Sequence, residues 1–185
     1  MVDRAQTYTL AKIARRLDVP QHRLIHLCEK EVVVPDVQGA GGRGSSRIFS
    51  AQNFLELAVA LRLRDMMLPV SAAGAIVHVM RAMEDQLRGE LTDFSLGTGL
   101  VGSRAPDLRV IISDGHFIFF ALGPAGRNPK LFGGVSIEDV AGNAGAQLRT
   151  VEAQNAKSAF GGPEGSRFSR TEISLTAIAQ SLPLD

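Results

Sequence analysis

From Leu10 onward, the apolar residues Ile13, Ala14 and Leu17 recur at intervals of three and four, which puts them on one stripe of a helix with Lys12, Arg15 and Arg16 on the solvent side. Thr9 is placed to act as its N-cap, although Lys12 at the third helical position closes no capping box. Asp18 and Val19 break the pattern. Pro20 suits the first turn of a second helix, where its missing N–H has no intrahelical partner. That helix is expected from about Pro20 to Lys30, with Leu24, Leu27 and Cys28 turned inward and Gln21, His22, Arg23 and His26 left outside. Ser50 then caps a helix over Gln52 to Met67, whose apolar positions Phe54, Leu55, Ala58, Val59, Leu61 and Met66 are broad enough to pack on more than one neighbour. Leu68 and Pro69 interrupt it, and Val70 to Leu87 resumes with an apolar stripe of Ala73, Ile76, Val77, Met80, Met83 and Leu87.

Extended signals sit between and after these helices. Val32 to Val34 form a brief β-prone run ended by Pro35. Gln38 to Ser46 is a glycine-rich loop carrying Arg43, and Arg47, Ile48 and Phe49 return to extended structure. Residues 91–106 read as a linker rich in Gly, Ser and Thr. Beyond it, Leu108 to Ile112 and His116 to Leu122 flank Ser113, Asp114 and Gly115, a strong hairpin pattern with Val110 and Ile112 on one side and Phe117 and Phe119 together on one face. Gly123 to Gly134 reads as turn-rich, Ser136 and Asp139 as a helix or turn start, Leu148 to Ala159 as a helix, and Thr171 to Leu182 as a final helix with a strand at its front. The expected organisation is α+β. Residues 1–90 form a helical unit with a hairpin loop, and 107–185 form a small mixed unit around the β-hairpin.

Composition narrows the picture only slightly. The net charge of +1 and the pI of about 8.0 lack the overall basicity that advertises nucleic-acid binding. Residues 1–50 nevertheless carry eight Lys or Arg against five Asp or Glu. One cysteine, Cys28, excludes a disulfide or a multi-thiolate metal site within one chain. No apolar run approaches the roughly eighteen residues of a membrane helix, and no signal-peptide core opens the chain, so a cytoplasmic protein is expected. With no Trp and one Tyr, little material exists for stacking single-stranded bases.

The chemistry follows from the first fifty residues. In a helix-turn-helix, the second helix enters the major groove and its N-terminal residues meet base edges or phosphates. Arg23 would donate to guanine and Gln21 would pair with adenine, with His22 and His26 beside them. The loop around Arg43, closed by Arg47, would follow the phosphate backbone or enter a minor groove. The same residues also read as a solvated helix face. GAGGRG lacks the ending of a nucleotide-binding P-loop. His78 has no partner at metal-ligand spacing, and Cys28 reads as a buried packing residue. Ser113, Asp114 and His116 surround a turn from which side chains diverge, so they make no catalytic triad. No enzyme, cofactor or metal is expected.

The stretch from Tyr8 to Leu87 resembles the winged helix-turn-helix domain of MerR-like regulators. The match runs through Tyr8, Thr9 and Leu10, then Val19, the triplet Ile25, His26 and Leu27, the ending Val33, Val34 and Pro35, and the wing-closing Arg47, Ile48, Phe49 and Ser50, followed by Asn53 and Phe54. The family usually carries Arg, Tyr and Gly where this chain has Ile25, Leu27 and Glu31. Ile25 makes no phosphate hydrogen bond, so the implied contacts shift to His22, Arg23, His26, Arg43 and Arg47. His26 would add a pH-dependent charge. The long dimerising helix of the family has no counterpart after Gly89, where no heptad pattern follows.

The resemblance implies a sequence-specific regulator of transcription that binds double-stranded DNA. Its C-terminal half is expected to dimerise, to sense an effector or to contact a partner, RNA polymerase or another protein, and a homodimer is expected because one weakly basic copy makes few ionic contacts. The alternatives are an architectural or excisionase-like DNA-binding protein, and an adaptor that presents the winged helix to a protein partner.

Overall fold

The computed structural model describes residues 6–36, 47–91, 94–123, 129–142, 149–151 and 169–183. They form a mixed α and β architecture of several helices and two small sheets.

The N-terminal elements follow the caps and periodicities closely. Strand β1 (Thr7–Thr9) leads into α1 (Leu10–Arg16), where Lys12 N donates to Thr9 Oγ1 at 3.3 Å. Asp18 takes a left-handed φ of 52° and turns the chain into α2 (Gln21–Glu29), with Pro20 as the N-cap one residue outside the helix. Strand β2 (Ile48–Ser50) passes into α3 (Ala51–Asp65), and Ser50 Oγ accepts from Asn53 N at 3.1 Å. Helix α4 (Val70–Glu90) runs three residues beyond the expected end and buries all six members of its predicted stripe. α3 is buried on nearly every side. It packs against α2, α4 and β2.

The expected strand at Val32 to Val34 does not form. Val32 and Val33 are buried in the core, Val34 O accepts from Asn53 Nδ2 at 3.2 Å and Arg81 Nη2 at 3.3 Å, and Asp36 N donates to Asn53 Oδ1 at 3.0 Å. Side chains of α3 and α4 thus satisfy backbone groups that a strand would have offered to a ladder. β2 pairs instead with β1, setting Tyr8 opposite Phe49. Tyr8 meets Phe54 edge to face, with ring centroids 5.1 Å apart.

The stretch expected as a linker holds a short helix, α5 (Leu96–Gly99), and contributes Phe94, Leu96 and Leu100 to the core. A Cβ on Gly97 would stand 2.7 Å from Gln52 N, so only glycine lets α5 approach the start of α3 this closely.

The second sheet is antiparallel, ordered β6-β5-β4-β3-β7. Strands β3 (Leu108–Ser113) and β4 (Phe117–Leu122) form the expected hairpin, with positive φ at both Asp114 and Gly115. Val110 pairs with Phe120 and Ile112 with Ile118 on the face packed into the main core, while Ile111 and Phe119 lie on the other. Two expectations fail here. The turn-rich stretch contains β5 (Lys130–Ser136), whose Gly133 and Gly134 form a bulge opposite Ile118 and Phe119. Residues expected to start a helix at Leu148 instead form β6 (Arg149–Val151), and residues 152–159 of that expectation lie outside the described residues. Ser136 does open a short helix, α6 (Ile137–Gly142). The chain ends as read, with β7 (Arg170–Ser174) followed by α7 (Leu175–Ser181), capped by Ser174 Oγ accepting from Ala177 N at 3.0 Å. A single hydrophobic cluster joins Tyr8, α3 and α4 to the inner sheet face, α7 and Leu182.

Candidate nucleic-acid interface

Burial of Leu24, Leu27 and Cys28 at three and four residue spacing leaves Gln21, His22, Ile25 and His26 on the outside of α2. Gln21 is the first residue of the helix, and no side chain caps the turn it begins. Ile25 retains 40% of its surface in the middle of this face, whereas Leu27 keeps 2% and belongs to the core.

Arg23 lies toward α3. Its Nη2 donates to Asp65 Oδ1 at 2.6 Å, an ion pair with side-chain exposures of 36% and 51%. Beside this pair an open cleft of about 220 Å³ is lined by His22, Arg23, His26, Leu27, Leu61 and Arg64. Arg64 Nη1 also donates to Leu68 O, which steadies the guanidinium at the cleft. Arg64 was legible in the sequence as a helix cation able to reach a phosphate, but Asp65 was not a candidate, because its pairing with Arg23 spans 42 residues and no local pattern encodes it.

Arg47 is exposed and immediately precedes β2. Its charge acts on the Cys28 thiol, but burial dominates and pushes that thiol up from its ordinary range, with Glu29 adding to the rise. The expected burial of Cys28 is observed. Arg43 lies outside the described residues.

A buried polar network fixes the chain at Val34 and Asp36. Glu56, fully buried, accepts from Arg81 Nε and Nη2, both at 2.7 Å, and from Asn53 Nδ2 at 3.0 Å. Asn53 reaches Val34 and Asp36 as described, and Asp36 Oδ2 accepts from Ser50 Oγ at 2.6 Å. Val34 and Asp36 are thereby tied to Ser50, α3 and α4. Hydrogen bonding to Glu56 raises the Arg81 pKa above its ordinary value.

Elsewhere, the turn cluster does not assemble as a triad: Asp114 Oδ1 accepts from Ser169 N at 3.0 Å, while His116 Nδ1 lies 3.3 Å from Glu138 Oε1. His78 is exposed beside an open cavity of about 400 Å³ that Lys30, Val70 and Val140 also line. Among the described residues, no three His, Cys, Asp or Glu side chains form a group able to hold a metal ion, and no helix is long and apolar enough to cross a membrane. No family model and no curated protein matches the chain.

Proposed function

We propose that this protein is a sequence-specific regulator of transcription that binds double-stranded DNA, with α1 and α2 as a helix-turn-helix of the MerR-like kind and the loop closed by Arg47 as its wing. The observation that carries the reading is the exposed polar start of α2, Gln21 and His22, with His26 one turn on and the exposed Arg47 just ahead of β2. Gln21 and His22 meet base edges in the major groove, while His26, Arg43 and Arg47 hold the backbone. Glu31 supports the resemblance: its φ of 54° is the left-handed conformation for which the family's usual glycine is suited. Few cations serve each copy, so two copies bind together through the C-terminal half, on half-sites related by two-fold symmetry. RNA polymerase or another protein is the further partner, in the cytoplasm.

Selection from a pool of random duplexes at low salt tests the reading, which fails if no duplex is retained. Gln21→Ala is expected to relax base preference, and Arg47→Ala to weaken all duplexes alike with a salt slope smaller by about one. Exposed Ile25 favours a second reading, an adaptor that docks a protein on α2. On DNA the same side chain would sit against a thymine methyl group.

A further inference from the structure

We propose that the cleft between α2 and the end of α3 is a site for a DNA backbone phosphate, and that Asp65 holds its place in the free protein. This inference rests on the DNA-binding reading and, of the two contacts the sequence suggested for Arg23, guanine and phosphate, takes the phosphate.

Four basic side chains, His22, Arg23, His26 and Arg64, line the cleft together with the apolar Leu27 and Leu61. The cleft, of about 220 Å³, has room for a phosphodiester group. An anion already contacts one of these cations, because Asp65 lies 2.6 Å from Arg23. Asp65 is the last residue of α3, where the helix dipole disfavours a carboxylate, so its position does nothing for α3 itself. The pair is half-exposed and therefore weak enough to exchange. A phosphodiester offers the Arg23 guanidinium two acceptor oxygens in place of one carboxylate, and Arg64 supplies a second cation at the cleft. On binding, Arg23 leaves Asp65 for the phosphate.

The test measures binding of the full chain to a labelled random-sequence duplex at low salt for wild type, Asp65→Asn, Arg23→Gln and the double variant. Asp65→Asn is expected to tighten binding by about two- to fivefold, the range set by the strength of an exposed ion pair. Arg23→Gln is expected to weaken all duplexes equally, and in that background Asp65→Asn has no effect. Equal tightening in both backgrounds marks a general charge effect and overturns the placeholder. So does unchanged or weaker binding by a folded Asp65→Asn variant with an unaltered thermal midpoint. Selective loss of one base preference in Arg23→Gln returns that residue to the major groove and also overturns the proposal. If no variant retains a duplex, the DNA reading itself falls, and a response of the Arg23 side-chain resonance to inorganic phosphate at constant ionic strength would then assign the cleft to a free anion.

Discussion

Removing Arg81 is expected to damage this fold more than removing the charge of its partner. Glu56 is fully buried, while Arg81 keeps 38% of its side chain exposed, so the two members of the pair have unequal recourse to water. Arg81→Met deletes both 2.7 Å hydrogen bonds to the carboxylate and leaves Glu56 buried without its cation, with Asn53 and Gln52 as its donors among the described residues, at 3.0 and 3.4 Å. Breaking a buried pair from that side costs about 3–5 kcal/mol. For a chain of this size that corresponds to a fall in melting temperature of roughly 6–20 °C. Glu56→Gln keeps an acceptor for Arg81 and lets the guanidinium turn to solvent, so its cost is about 1–2 kcal/mol. Replacing both residues by Met removes the desolvated charges together and is expected to recover most of the loss. Urea melts followed by circular dichroism would give the three values, with an unchanged slope confirming that the denatured state is the same. Equal costs for the two single variants, or a loss below about 1 kcal/mol for Arg81→Met, would refute burial of the carboxylate as the source of the asymmetry.

Two further outcomes follow from local geometry. Gly97→Ala should destabilise by about 1–3 kcal/mol, because the new methyl group meets the Gln52 backbone 2.7 Å away, and a melt indistinguishable from wild type would place α5 elsewhere. Cys28 should react with a thiol reagent far more slowly in the folded protein than in urea, since burial raises its pKa. The sign is fixed by linkage: the thiol is protonated in both states below its unfolded pKa, and its contribution to stability is lost as pH rises through the higher folded pKa. Comparing melts of wild type and Cys28→Ala across that alkaline range checks it, and equal pH dependence would contradict it.

The local grammar of this chain was legible without coordinates. Apolar spacing of three and four located α1 to α4, the hydroxyls of Thr9 and Ser50 stand at helix starts, and Asp114-Gly115 marks the hairpin between β3 and β4. These signals act within a turn or two of helix, where neighbouring residues alone decide the outcome. Gln21, His22 and His26 emerged on the outside of α2 for the same reason. What the tertiary structure decided involves partners far apart in the chain. Val32 to Val34 had strand character, but Asn53 and Arg81 claimed the carbonyl of Val34 and the core took Val32 and Val33. β5 was hidden by the glycines of its own bulge, and Phe94, Leu96 and Leu100 acquired a place only against elements packed elsewhere. Asp65 drew Arg23 away from the open face of α2, across 42 residues of chain. Periodicity assigns a side chain to a face of its own element; which charge or backbone it meets there depends on how the elements close on one another.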